Sequence, residues 1–110
     1  MKYSRFPLAG LALFAATAFA NDHEVTVTIR DHAFQPQEIR LPAGKKVQLR
    51  IVNDDTTPAE FESKSLNREK IIPGKSTGRI NIGPLKPGTY PFVEEYHEND
   101  AAAQGVIVVE

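Results

Sequence analysis

The residues best suited to bind a metal or do chemistry are carboxylates and a histidine near the end of the chain. Glu94, Glu95 and His97 fall within four residues of one another. Carboxylate oxygens with an imidazole nitrogen form a hard donor set that suits iron or Mn²⁺ and also accepts Zn²⁺ or Cu²⁺. Strand alternation would place Glu94 on the inner face and Glu95 with His97 on the other, provided that the strand continues. The alternative is a solvated acidic loop with one exposed histidine.

A second group of carboxylates precedes this one by about thirty residues. Glu60 and Glu62 flank Phe61, so both face outward if Phe61 is in the core, and carboxylates at positions i and i+2 of a strand can share a cation. Glu69 either completes this set or forms an ordinary surface charge pair with Lys70. The competing interpretation is a solvated strand edge.

The remaining histidines give weaker signals, and the chain contains no cysteine. His23 would be the third residue of a chain cut after Ala20, where a terminal amine and a histidine can chelate Cu²⁺ or Ni²⁺. A polar, disordered terminus is the alternative interpretation of His23. His32 is predicted to be a loop histidine. The sequence has no Ser-His-Asp pattern, no phosphate-binding glycine loop and no zinc-ligand spacing.

The N-terminal segment has the layout of an export signal. Lys2 and Arg5 precede a nearly continuous apolar run from residue 8 to residue 19, which ends in a small-x-small cleavage site. We therefore predict a secretory signal over residues 1–20 and a mature domain over residues 21–110. An uncleaved membrane anchor is the alternative, but the apolar stretch is short for a bilayer span.

The charge balance excludes one class of partner. Without the signal the chain carries 11 basic and 14 acidic side chains, and no basic patch is interleaved with aromatic residues. This argues against nucleic acid as a partner and favours cations or basic surfaces.

The elements that must position these residues are strands. Apolar and polar residues alternate over 25–30 and 46–51, residues 106–109 are an apolar run, and Pro-Gly pairs at 73–74 and 87–88 mark turns. One small all-β domain, built as a β-sandwich, is the predicted fold class.

Two segments carry a family resemblance. Phe34-Gln-Pro-Gln-Glu-Ile-Arg-Leu-Pro-Ala-Gly44 and Pro87-Gly-Thr-Tyr-Pro-Phe92 resemble the opening and the penultimate strand of cupredoxins. The resemblance covers nearly all of the mature chain and implies a Greek-key β-sandwich. It also shows where the copper pattern is lost, because the first His position holds Ala59 or Glu60, the Cys position Glu94 and the Met position Ala103. Only His97 matches, so no type 1 blue centre is expected.

Other segments are similar to a narrower group. Residues 60–63, 69–74, 95–97 and 103–105 resemble the small cupredoxin-like periplasmic components of bacterial ferrous-iron uptake systems, of the Ftr type and of the EfeO cupredoxin domain. That resemblance implies a periplasmic protein that binds iron, with or without copper, beside an iron permease. It implies a part in ferrous oxidation or in delivery of the oxidised ion.

The resulting prediction is an exported cupredoxin-like protein with one iron site, soluble after signal cleavage. Its predicted ligands are Glu60, Glu62, Glu69, Glu94, Glu95 and His97. Copper is the alternative metal. A non-catalytic metal-binding or docking module and a structural domain with a decayed site are the alternative functions.

Overall fold

The computed structural model describes residues 17–19 and 24–110, which form ten strands and two short 3-10 helices. The strands are β1 (Thr17–Phe19), β2 (Glu24–Arg30), β3 (Ala33–Gln35), β4 (Glu38–Leu41), β5 (Val47–Asn53), β6 (Ala59–Ser63), β7 (Arg68–Ile72), β8 (Ser76–Ile82), β9 (Gly88–Glu94) and β10 (Gln104–Val109). The 3-10 helices are Glu95–His97 and Ala101–Ala103. Within these described residues no helix has the length and apolar character needed to cross a membrane.

Two sequence predictions concern residues outside this range. The predicted signal lies outside the described residues except for β1, which pairs in parallel with β4. His23 also lies outside them. The signal, its cleavage site and a terminal chelate therefore stay predictions.

The strands form two sheets packed as a sandwich, which confirms the predicted fold class. One sheet has the order β1-β4-β10-β9-β6-β7 and the other β3-β2-β5-β8. β2 pairs in parallel with β5, and β4 with β10, while β9 is antiparallel to both β10 and β6. Such mixed pairing arises when the chain crosses repeatedly between the sheets, as in Greek-key sandwiches.

The core follows from alternation along each strand. Inward residues of β2 and β5 are buried and, except for Asn53 at the end of β5, apolar, and their neighbours face outward. Phe92 lies at the centre, with its ring centroid 4.7 Å from Phe34 in an edge-to-face contact and 5.2 Å from Phe61 in a stacked contact. Both geometries are favourable for aromatic pairs, and the contact with Phe34 joins the two sheets.

One end of the sandwich gathers the candidate ligands. β2 and β5 run in parallel and finish together, and β9 finishes where Phe61 of β6 lies opposite Glu94. We call this the His97 end. The opposite end, where β5 begins and β8 finishes, is the Gly83 end.

Candidate metal centre

Glu94 is a fully buried carboxylate at the last position of β9. It points inward with Phe92, as strand alternation predicts, and only 1% of its surface is exposed. Its Oε2 atom accepts hydrogen bonds from the backbone N–H of Glu60 at 2.9 Å and of Tyr96 at 3.2 Å. These donors compensate the carboxylate for lost water, so the fold accommodates an acidic group at a core position.

The chain leaves the strand immediately after Glu94. Residues Glu95–His97 form a 3-10 helix, and the Nδ1 atom of His97 lies 2.5 Å from Oε1 of Glu94. The prediction that Glu95 and His97 share one face is therefore wrong, because it required the strand to continue. His97 turns back onto Glu94, whereas Glu95 joins a different group.

His32 completes the arrangement around Glu94. Its ring is stacked on that of His97, with centroids 3.7 Å apart and an interplanar angle of 15°. Sequence reasoning predicted only a loop histidine, and His32 does lie in the turn that follows β2. No spacing motif marks it. His32 becomes a candidate ligand only once the fold places the end of β2 at the same end of the sandwich as His97.

A side chain from the neighbouring strand end holds this turn. Asp31 and His32 have left-handed φ angles of 53° and 63°, which are unusual for residues other than glycine. Asp55 accepts their backbone N–H groups at 2.7 Å and 3.0 Å. Although partial burial acts in the opposite direction, these N–H donors hold the pKa of Asp55 below its ordinary value.

A buried amide in turn supports Asp55. The Oδ1 atom of Asn53 accepts the backbone N–H of Asp55 at 3.0 Å. Its Nδ2 group donates to the carbonyl oxygens of Thr57, Ile72 and Pro73. Asn53 thus ties the loop after β5 to the end of β7, and this network fixes the approach of His32 to His97.

The first cluster consists of His32, Glu94 and His97. Their potential ligand atoms all lie within 4.8 Å of one another. Two imidazoles and one carboxylate form the donor set of non-haem Fe²⁺ sites and also suit Cu²⁺ or Zn²⁺. Nδ1 of His97 and Oε1 of Glu94 are in direct contact, so a cation bound between them would replace the hydrogen bond that joins them.

The second cluster lies on the outer face of the six-stranded sheet. Carboxylate oxygens of Glu60, Glu69 and Glu95 approach within 4.8 Å of one another. Glu62 lies beside this group. Desolvation and then the negative charges of Glu95 and Glu69 raise the pKa of Glu60 and of Glu62. A hard, highly charged cation would relieve this repulsion.

The structure therefore divides five of the six predicted ligands between two adjacent clusters and leaves Glu62 beside the second. Glu94 and His97 belong to the first, with His32 added, while Glu60, Glu69 and Glu95 form the second. One hydrogen bond joins them, because the backbone N–H of Glu60 donates to Glu94 while the Glu60 side chain faces the second cluster. The division follows from the 3-10 turn, which sends Glu95 and His97 in different directions.

The sequence matches a known family over nearly its whole length. The family model described as a cupredoxin-like domain matches residues 6–109. The chain belongs to the cupredoxin-like domain family. A relative from Rickettsia prowazekii (strain Madrid E), named uncharacterized protein RP394, is 43% identical over 86 residues, which cover 78% of this chain and 67% of the relative.

Solved structures share the fold at low sequence identity. The metal-binding domain of the Cu(I)-exporting ATPase CopA from Streptococcus pneumoniae D39, solved with Cu(I), matches with a TM-score of 0.69 and 13% identity, covering 88% of this chain and 98% of that one. Auracyanin A, a blue copper protein from Chloroflexus aurantiacus, matches with a TM-score of 0.68 and 16% identity, covering 79% and 98%. At these identities the similarity concerns the fold alone.

The donor set of this cupredoxin-like domain does not fit a blue copper centre. Such a centre needs a thiolate, and the chain has no cysteine. Glu94 and the buried, donor-free Ala103 occupy the positions that the family resemblance assigns to Cys and Met. Two imidazoles and a carboxylate remain, and these fit a non-blue divalent cation.

Proposed function

We propose that this cupredoxin-like domain is an exported iron-binding protein of a ferrous-iron uptake system. The observation that supports the proposal is the pairing of a His32–Glu94–His97 cluster with a carboxylate cluster only one hydrogen bond away. Imidazole and carboxylate ligands suit Fe²⁺, and a set of carboxylates alone favours the harder Fe³⁺.

The proposed chemistry is oxidation of bound Fe²⁺ to Fe³⁺ with loss of one electron. Carboxylates stabilise the more highly charged ion, which lowers the reduction potential of the bound iron and eases its oxidation. Dioxygen, copper or a membrane partner would accept the electron. An iron permease would receive the oxidised ion, which fits a protein that acts outside the cytoplasm.

Titration with Fe²⁺ under argon, followed by admission of air, tests this proposal. We expect saturable binding of Fe²⁺ and then oxygen consumption that rises to a maximum with Fe²⁺ concentration. The double variant Glu60→Gln/Glu69→Gln should retain Fe²⁺ binding at the histidines but lose much of the oxygen consumption. The variant Lys64→Gln, in the turn between β6 and β7 and outside both clusters, is the control.

The outcome separates the proposal from its alternative. Saturable Fe²⁺ binding without oxygen consumption above that of free Fe²⁺, and without reduction of added Cu²⁺, would support a binding or docking module. Absence of Fe²⁺ binding at micromolar concentrations would contradict an iron-binding function.

Copper is the second candidate metal for the histidine cluster. Two imidazoles beside a carboxylate suit Cu²⁺ at least as well as Fe²⁺, because Cu²⁺ binds such donors more tightly. Competition between Cu²⁺ and Fe²⁺ in the same titration would show whether one cluster takes copper while the carboxylates take iron.

A further inference from the structure

A groove at the Gly83 end has the opposite character to the carboxylate cluster. It has a volume of about 470 Å³ and lies between the start of β5, the start of β7 and the end of β8. Its polar lining is formed by Lys46, Gln48, Arg68 and Asn81, and no carboxylate lines it. We propose that this groove binds an anionic ligand that carries a phosphate group.

Arg68 is held in place at the groove by the backbone. Its Nε atom donates to the carbonyl oxygen of Asn81 at 3.2 Å, and its Nη1 atom donates to that of Asn67 at 3.2 Å. Asn67 has a left-handed φ of 55°, which shapes the turn that presents the guanidinium. These bonds leave the Nη2 donors for a ligand. A guanidinium fixed beforehand binds an oxyanion with less loss of side-chain entropy.

The other polar side chains of the groove can all donate hydrogen bonds as well. Lys46 and Arg68 form no ion pair within the described residues, and Lys46 adds an ammonium group. The Nε2 group of Gln48 donates to Oδ1 of Asn81 at 3.4 Å. This bond uses the oxygen of the Asn81 amide and not its Nδ2 donors. Glu24, the carboxylate opposite Gln48 on β2, does not line the groove. This set of donors without an acidic acceptor fits a phosphate oxyanion.

The positive charge continues along the outer face of the same strands. Arg50 of β5 lies directly opposite Arg79 of β8. Like charges placed directly opposite each other on a sheet destabilise it, and within the described part of the chain neither arginine has a carboxylate partner within salt-bridge distance. A bound anion nearby would relieve this repulsion. β8 spans about 20 Å, so the groove is well separated from the carboxylates at the His97 end.

The backbone also fixes the wall of the groove. Gly83 has a φ of 92°, and a Cβ atom there would approach the carbonyl oxygen of Lys45 to 2.4 Å. Only glycine therefore lets the end of β8 pack this closely against the turn that carries Lys46. The wall of the groove beside Gly83 is thus set by the backbone.

Titration of the metal-free, ¹⁵N-labelled protein with inorganic phosphate, at constant ionic strength maintained with chloride, tests the proposal. Chelator treatment prevents phosphate from binding through a metal at the other end. We expect saturable shifts of the backbone amides of residues 46–48, 67–68 and 81–83. Lys46→Gln and Arg68→Gln should each raise the apparent Kd about tenfold, which corresponds to one charge-assisted hydrogen bond. Lys64→Gln is an equal charge change in the turn between β6 and β7, where Lys64 lines a different groove with Glu62 and Glu98, and it should leave the apparent Kd unchanged.

A second arm identifies the source of the phosphate group. Sedimentation with phosphatidylcholine vesicles that contain phosphatidylglycerol tests a lipid headgroup. Saturable binding in either arm that Lys46→Gln weakens about tenfold supports the proposal and names the source. Absence of binding in both arms overturns it, as does binding that Lys46→Gln and Lys64→Gln weaken equally. The Lys46 side chain forms no ion pair within the described residues, so the Lys46→Gln result does not depend on a folding defect.

Discussion

At the residue scale, the site depends on a carboxylate that the core accepts because its hydrogen bonds are complete. Glu94 receives two backbone N–H groups and contacts His97. Its hydrogen bonds are therefore part of the fold, and its position beside two imidazoles makes it a candidate metal ligand.

Glu94→Leu should destabilise the metal-free protein. The backbone N–H groups of Glu60 and Tyr96 would lose their buried acceptor, and an unsatisfied buried donor costs about 1–3 kcal/mol. Urea unfolding of the metal-free protein measures this loss. Glu95→Leu, one residue along and outside the core, is the control and should change stability much less. Equal stability of the two variants would contradict the assigned role of Glu94.

At the element scale, the ends of β2, β5 and β9 position the ligands. Asp55, just after β5, holds the left-handed turn after β2, and Asn53 holds the loop that carries Asp55. His32 therefore keeps its position beside His97 because the loop after β5 holds the turn after β2.

Asp55→Ala should lower both stability and metal affinity. It leaves two backbone N–H groups of a strained turn without their acceptor, at a cost of about 1–3 kcal/mol. His32 would lose its fixed position, so affinity for Cu²⁺ should fall. Asp54→Ala is the matched control, since it removes only an exposed pair with Arg30, worth about 0–1 kcal/mol. Calorimetric unfolding and titration measure both effects, and an Asp55→Ala protein with unchanged Cu²⁺ affinity would contradict this role.

The outward face of β6 predicts a pH dependence. The pKa of Glu60 and of Glu62 is raised in the folded protein, so the folded state keeps a proton that the unfolded chain releases. The contribution of these two groups to the free energy of unfolding is therefore largest below about pH 4.5, the ordinary glutamate pKa. It is lost as the pH rises through the raised pKa of the folded protein.

The double variant Glu60→Gln/Glu62→Gln should no longer lose this stability as the pH rises. The metal-free double variant should melt higher than the parent at pH 7, and the difference should shrink as the pH is lowered. Added Fe³⁺ or Mn²⁺ should raise the melting temperature of the parent more than that of the variant. Calorimetry at several pH values measures both effects. A double variant that melts lower without metal and responds to metal like the parent would show that these carboxylates are ordinary surface groups.

Much of this arrangement can be predicted from local sequence patterns. Alternation gives the strands, the outward direction of Glu60 and Glu62 around Phe61, and the inward direction of Glu94. Alternation gives the wrong directions for Glu95 and His97, because neither residue type indicates that the strand ends at Glu94.

His32 could not be predicted because its place depends on distant parts of the chain. Its turn is held by Asp55, and its ring meets a histidine that follows a strand of the other sheet. Periodicity describes neighbours along one element, whereas this contact needs the parallel pairing of β2 with β5 and the packing of two sheets.

At the scale of the whole molecule, the histidine cluster joins the two sheets. His32 follows a strand of the four-stranded sheet, and His97 follows a strand of the six-stranded sheet. A cation bound by both would restrain the sheets at one end, in addition to the aromatic core.

Cu²⁺ should therefore raise the melting temperature of the whole domain. At a free concentration of about 100 times Kd the stabilisation is about 2.7 kcal/mol, which corresponds to a shift of roughly 10–20 °C for a domain of this size. His32→Ala should lose most of this shift, whereas Glu69→Gln, in the second cluster, should keep it. An equal shift in His32→Ala and the parent would place the bound cation elsewhere.

The most direct test of the central claim is electron paramagnetic resonance of the protein loaded with one equivalent of Cu²⁺. The claim is that His32 and His97 bind one cation together with Glu94. Electron spin-echo envelope modulation should detect two imidazoles in the parent and one in either His32→Ala or His97→Ala, and the absence of a thiolate predicts no intense blue absorption. A spectrum left unchanged by both substitutions would contradict the claim.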